Sequence, residues 1–319
     1  MPLRTSLLAA LALILASTTA DALPVVTKTI RDKAPTYDIT VAYPQTGLKT
    51  IDDDITTWAR STAADFRIEA KSDHQPGEQP YVLDVSFGVA RNDASVFAVL
   101  FEEFTDTGGA HPNHDFYTAN YLMPDGWRVY LPELLDGTKA LARISALTIA
   151  DLDRRITTGP DAMSDSDTVK MGADASWDNF ADFVLMPKAL VIHFPPYQVA
   201  AYAAGPQESS IALASLRDVM RADPRLPAAS FDCTQARTVT EHALCSDVAL
   251  ARLDRQIAET FSRHQRDLPD AAARTGLRNE QRAWLARRDG ACAGQSASAT
   301  TACLSGLYKE RLAWFSRQP

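Results

Sequence analysis

The chain has 319 residues, 46% of them hydrophobic and 23% charged, and a formal net charge of −8. This length predicts two domains at ~100–200 residues each, and the apolar content excludes wholesale disorder. The acidic balance argues against a chain that wraps nucleic acid, and no apolar run of about 18 residues follows the N-terminus to form a membrane span.

Residues 1–22 read as an export signal. Arg4 supplies the positive start, Leu7 to Ala16 form an apolar run too short to cross a bilayer, and Ala20-Asp21-Ala22 fits an A-x-A cleavage site. No cysteine adjoins that site for lipid attachment. The mature chain is therefore expected in the periplasm or outside the cell.

From residue 23 to about 222 the pattern is α+β. Tyr37, Ile39, Val41 and Tyr43 alternate with polar or small residues, which predicts a half-buried strand. Ile51, Ile55, Trp58 and Phe66 recur near helical spacing. Asp52, Asp53 and Asp54 fall in that helix's first turn, where acidic side chains favour the positive helix end; metal ligation is the competing reading. Tyr81, Leu83, Val85, Phe87 and Val89 alternate again, and Ser95–Phe104 and Tyr117–Met123 read as strands. A helix over Leu134–Ile156, strands over Phe180–Met186 and Ala189–Phe194, and a short helix over Leu213–Met220 complete the domain. The expected fold is an antiparallel sheet with helices packed on one face.

The segment Thr105–Asp115 joins two strands and holds Gly108, Gly109, His111, Pro112, Asn113 and His114. Paired glycines permit backbone angles closed to other residues, and Pro112 stiffens the exit. Three readings compete: a metal site on His111, His114 and Asp115; a protein-recognition loop; or a tight turn whose polar groups cap the backbone. Gly108, Gly109, His111, Asn113 and His114 are the candidate partner-binding residues.

Residues 223–229 read as a linker, with Pro224 and Pro227 interrupting a helical pattern. Charge divides there too. Residues 23–229 carry 18 Lys and Arg against 29 Asp and Glu, a net −11, whereas 230–319 carry 13 against 10, a net +3. All four cysteines, Cys233, Cys245, Cys292 and Cys303, lie in this last part. An even number in an exported chain predicts two disulfides, and the spacing lacks the short C-x₂₋₄-C step of common zinc modules.

The rest of 230–319 predicts a small all-α domain. Thr238 and Glu241 form a capping box, and Ser246 or Asp247 can cap the next helix, whose stripe is Leu250, Leu253, Ile257 and Phe261. Leu277, Gln281, Trp284, Leu285 and Arg288 share one face of a second helix, and Leu304, Leu307, Tyr308, Leu312 and Phe315 define a third. Antiparallel helices would bring Cys245 near Cys292, leaving Cys233 for Cys303. A fully helical 233–245 span is too long for a local bridge at ~1.5 Å per residue. The other two connectivities stay open. Asp254, Arg288, Asp289 and Arg311 are expected to form an ion-pair network between helices rather than to contact a target.

Two family resemblances follow from these motifs. Gly108-Gly109-Ala110-His111-Pro112-Asn113, Phe116–Leu122, Asp125-Gly126, Leu131–Leu135, Phe180–Val184, Leu190–Phe194, Tyr197 and Gly205-Pro206 follow one pattern. Over roughly 25–222 the chain resembles the extracellular domain shared by the RsiV anti-sigma factor and certain peptidoglycan deacetylases. The resemblance implies lysozyme binding in the first case and a companion to a separate catalytic domain in the second. The sequence shows neither that catalytic domain nor a sigma-binding segment, so sigma-factor control is not expected to carry over.

Phe231-Asp232-Cys233, Glu241 to Cys245, Leu250, Leu253-Asp254, Gln281-Arg282, Trp284, Arg288-Asp289, Cys292, Cys303-Leu304, Tyr308 and Arg311 follow a second pattern. Over 230–317 this resembles the LprI-type lysozyme inhibitors, which implies an inhibitory role. The expected function is an exported lysozyme-binding protein, an inhibitor that protects peptidoglycan. Its rival is a peptidoglycan- or glycan-binding envelope module, in which Trp127 and Tyr130 would stack on sugar rings, although core packing is the expectation for both. No H-E-x-x-H, nucleophile elbow or phosphate-cradling glycine loop occurs, so no catalytic residue, metal or cofactor is assigned and a non-enzyme is expected.

Overall fold

The computed structural model describes residues 22–158, 162–268 and 270–315. Residues 1–21 of the export segment lie outside the described residues. The chain opens with β1 (Val26–Ala34), β2 (Tyr37–Gln45), α1 (Lys49–Asp73), β3 (Tyr81–Asn92), β4 (Val96–Asp106), β5 (Asn113–Leu122) and β6 (Trp127–Val129). These strands form one sheet in sequence order. Its pairs are antiparallel except β2 with β3, which run parallel because α1 carries the chain back across the sheet. The expected α+β organisation is present, with a mixed sheet in place of a purely antiparallel one.

Helix α1 buries Ile51, Ile55, Ala59, Ala63, Phe66 and Ala70 against Ile39, Val41, Leu83, Val85, Val99 and Phe101. The acidic triplet at its start goes to three separate partners. Asp52 accepts from the Thr46 N–H and hydroxyl and the Gly47 N–H, Asp53 pairs with Lys49, and Asp54 accepts from the Tyr121 hydroxyl and Arg128. They therefore do not converge on an ion.

The other face of the sheet is covered as well. Val96 and Ala98 of β4 join a second core with α2 (Leu131–Leu134), α3 (Gly137–Ile156) and α4 (Ser166–Gly172) and with a three-stranded antiparallel sheet. That sheet is β7 (Phe183–Leu185), β8 (Ala189–Phe194) and β9 (Gln207–Ala212). Helices thus lie on both faces of the main sheet, and the strands divide into two sheets. Asn120 fastens the sheets together, its amide donating to Phe183 O at 2.7 Å and accepting from Leu185 N at 2.8 Å.

Local expectations differ from the fold in specific places. The predicted helix from Leu134 is broken at Leu135, which bridges to Met220, and at Gly137, whose φ is +62°. The start of the Phe180–Met186 strand is a 3₁₀ turn over Trp177–Phe180, and Leu213–Met220 is two 3₁₀ turns. Strands β1, β6 and β9 carry little apolar alternation and are held by backbone pairing.

The C-terminal part comprises α5 (Val239–Ser246), α6 (Val248–Asp267), α7 (Ala271–Ala291) and α8 (Ala297–Phe315). The Thr238–Glu241 capping box and the Asp247 cap are both made. The disulfides join Cys233 to Cys245 and Cys292 to Cys303, which corrects the favoured Cys245–Cys292 pairing. Cys233 sits in a 3₁₀ turn followed by extended backbone, so 233–245 is not one helix and its Cα atoms close to 5.7 Å. Cys292 ends α7, and Gly294 at φ +73° reverses the chain toward α8.

The expected interhelical network is present in part, with Tyr308 as its link. The buried Tyr308 hydroxyl donates to Asp254 at 2.8 Å and accepts from Arg288 at 2.7 Å, and Arg288 pairs with Asp289. Arg311 belongs to a second cluster, with Glu280 and Gln281 and the rings of Trp284 and Trp314. Tyr308→Phe leaves a buried carboxylate and guanidinium without their shared partner. We expect it to cost about 1–3 kcal/mol in urea unfolding, and a change within error would remove the network from the stability of this region.

One carboxylate joins the two halves. Glu133 of α2 is 1% exposed and accepts from Arg252 of α6 at 2.6 Å, with Arg255 at 3.6 Å. Arg252 also donates to Arg128 O at 2.8 Å. Glu133→Ala should lower stability by about 2–3 kcal/mol, below the full value for a buried pair because Arg252 is partly solvated. Urea unfolding of the variant reads this directly.

Candidate protein-recognition site

The loop between β4 and β5 exposes Gly108 and Gly109 and half-buries His111, and the exposed Asn113 and His114 follow it as the first residues of β5, paired with Thr105 and Phe104. Gly108 adopts φ +77°, and its N–H donates to Asp106 at 3.0 Å, which starts the turn. His111 is held on every side. Its Nδ1 lies 2.9 Å from Pro112 O, and since a carbonyl only accepts, Nδ1 carries the proton. Nε2 is hydrogen-bonded to the Tyr197 hydroxyl at 2.8 Å. The Tyr202 ring stacks on the imidazole at 3.8 Å and donates its own hydroxyl to Pro112 O at 2.8 Å.

Both tyrosines come from the connection between β8 and β9, so the second sheet braces the loop of the first. Tyr197 has φ +74°, the one non-glycine residue in the left-handed region among those described, and is 60% exposed. Its N–H donates to Ala200 O, which holds that conformation. The residue types alone give no sign of this brace: Tyr197 and Tyr202 lie more than 80 residues from His111 along the chain. The hints are the place of Tyr197 in the first motif and the stiff Pro195-Pro196-Tyr197 step.

The histidines and Asp115 do not assemble. His114 meets Phe104 edge-on, Asp115 accepts from the Phe116 N–H, and His111 has both nitrogens engaged. Among the described residues no group of three His, Cys, Asp or Glu side chains is arranged to hold a metal. The outward groups are the Asn113 amide, the His114 imidazole and the Tyr197 ring.

The flank of the loop is acidic. Burial, helped by the charges of Asp115 and Glu69, raises the Glu103 carboxyl above its usual range. Burial and then Asp115 push Asp182 up to about 7, although the Thr118 N–H bonds to it. Burial also lowers the neighbouring His193. Asp182 thus keeps in the folded state a proton that the unfolded chain releases, and its contribution to stability falls as pH rises from ~4 to ~7. Asp182→Asn should therefore melt like the parent near pH 4 and progressively higher than it toward pH 8. Melting curves that run parallel over this range would exclude the effect.

Comparison with known proteins follows the same division of the chain. Residues 232–315 match the family model for lysozyme inhibitor LprI. The LprI match takes in both disulfides and the Asp254–Tyr308–Arg288 network. Residues 134–214 match DUF3298, described as a protein of unknown function, and so include Tyr197 and Tyr202. The chain is 23% identical over 195 residues to the peptidoglycan-N-acetylmuramic acid deacetylase PdaC of Bacillus subtilis, covering 60% of this chain and 41% of that protein. It thus spans about two-fifths of the length of that curated relative. Crystal structures of DUF3298 proteins from Pseudomonas aeruginosa (13% identity, TM-score 0.45) and Bacteroides fragilis (15%, 0.43) each align with 64% of this chain and with 97% and 96% of their own.

Proposed function

We propose that this chain is an exported lysozyme-binding protein that inhibits the enzyme and so protects peptidoglycan in the periplasm or outside the cell. The observation that carries the reading is the match of residues 232–315 to the LprI lysozyme inhibitor family. The paired disulfides support an oxidising, extracytoplasmic location. In this reading the protein acts by binding rather than by catalysis.

The β4–β5 loop supplies the contact. Lysozyme works with two carboxylates in a cleft. Asn113 and His114, exposed at the start of β5 beside the loop that His111, Tyr197 and Tyr202 pin, offer hydrogen-bond donors of the right kind. Pre-setting the loop lowers the entropy lost on binding. The net −11 of residues 23–229 favours encounter with a basic enzyme.

The test is titration of the mature chain, residues 23–319, into a cell-wall lysis assay. Dose-dependent inhibition is expected, weakened about tenfold or more by Asn113→Ala with His114→Ala, the loss of two interface hydrogen bonds. Full inhibition by the double variant would move the contact to residues 230–319. Absence of inhibition and of binding across several lysozyme types would overturn the function.

A further inference from the structure

The junction between the two halves contains a cleft of about 500 Å³, within the ~300–1,000 Å³ range of small-molecule sites. It exists because β6 is short. β6 pairs with β5 only at Asn120–Leu122, so the outer edge of β5 at Phe116–Thr118 has no neighbouring strand. Arg128 donates to Thr118 O at 2.7 Å, Asp182 lines the same edge, and α6 stands opposite as the far wall.

The lining restricts the ligand. Three guanidinium groups border the cleft, and each lies against a carboxylate of the protein. Arg128 lies on Asp54, while Arg252 and Arg255 lie on Glu133. Asp178, Asp182 and Glu259 also line the cleft, so with Asp54 and Glu133 the carboxyl groups outnumber the three guanidinium groups and leave no spare positive charge for a phosphate or carboxylate ligand. A purely apolar ligand is disfavoured too, since Asp182 and the exposed Gln256 would lose water without a partner.

The apolar share of the wall is aromatic. Half-buried Phe116 and Trp177 line the cleft with Tyr130, which is 41% exposed and steadied by the guanidinium groups of Arg128 and Arg252 at 5.2 and 4.7 Å from its ring. Ring faces beside hydrogen-bonding groups, with no surplus of positive charge, suit a molecule that has apolar C–H faces and a rim of hydroxyls. The raised pKa of Asp182 is consistent with this, because a carboxyl poised near neutrality can donate to one hydroxyl and accept from another.

We propose that this cleft binds a short neutral oligosaccharide, stacked on Trp177 and Phe116 and hydrogen-bonded by Asp182, Gln256 and the Tyr130 hydroxyl. Its walls come from both halves of the chain, so the site is complete only when Glu133 has docked α6. The site is separate from the lysozyme-recognition loop and does not rest on that reading.

Calorimetric titration of the mature full chain with tri-N-acetylchitotriose and with cellotriose, in the absence of lysozyme, tests the proposal. Saturable binding of at least one sugar is expected, weakened tenfold or more by Trp177→Ala and by Gln256→Trp. The second change sits on an exposed position of α6 and obstructs the cleft without touching the core. Citrate is expected not to bind. The proposal is overturned if neither sugar binds at millimolar concentration, if both variants bind as the parent does, or if citrate competes.

Discussion

A buried carboxylate is tolerated only when its charge is met, and Glu133 is the point on which the two halves of this protein meet that condition. Its oxygens receive the backbone of Tyr130 from its own domain and the guanidinium groups of Arg252 and Arg255 from α6. Leaving either side unpaired would strand a charge away from water. Several other features depend on this contact. Arg252 reaches on to Arg128 O, Arg255 reaches to Ala228 O beside the linker, and the ring of Tyr130 lies against Arg128 and Arg252. The docking is thus ionic and aromatic, and it forms one wall of the cleft at the junction.

The β4–β5 loop obeys a different constraint. A glycine-rich turn by itself is an open ensemble, and ordering it on binding would consume affinity. Here the order comes from the second sheet, through Tyr202 stacked on His111 and Tyr197 bonded to it. The loop belongs to one sheet and its brace to the other, so its shape depends on the packing that Asn120 and Thr118 hold together.

The helical region solves a problem of size. Its core is small, and its interior includes Asp254, Arg288 and Arg311 along with apolar side chains. The Tyr308 hydroxyl joins the first two, stacking and hydrogen bonds occupy the third, and two disulfides bracket the turns beside α5 and between α7 and α8. Small exported domains commonly add cross-links of this kind where a hydrophobic core alone is marginal.

Much of this was legible in order along the chain. Alternation over Tyr37–Tyr43 and Tyr81–Val89, the Thr238–Glu241 capping box and the apolar stripes of α6 and α8 are local properties, set by the periods of strand and helix. The two family motifs were legible for the same reason, being residue types at fixed spacing. By itself the sequence determined the α+β and all-α character of the two halves, the loop as the unusual segment, and Asp254, Arg288 and Asp289 as interacting residues of the C-terminal part, though not the Tyr308 hydroxyl that links them. Only the tertiary structure decided that β2 and β3 run parallel, that the strands split into two sheets, that each cysteine pairs within its own turn, that Tyr197 and Tyr202 brace His111, and that Glu133 is the junction. Each of these is a contact between residues whose separation in space is set by the path of the backbone, and no local period encodes that path.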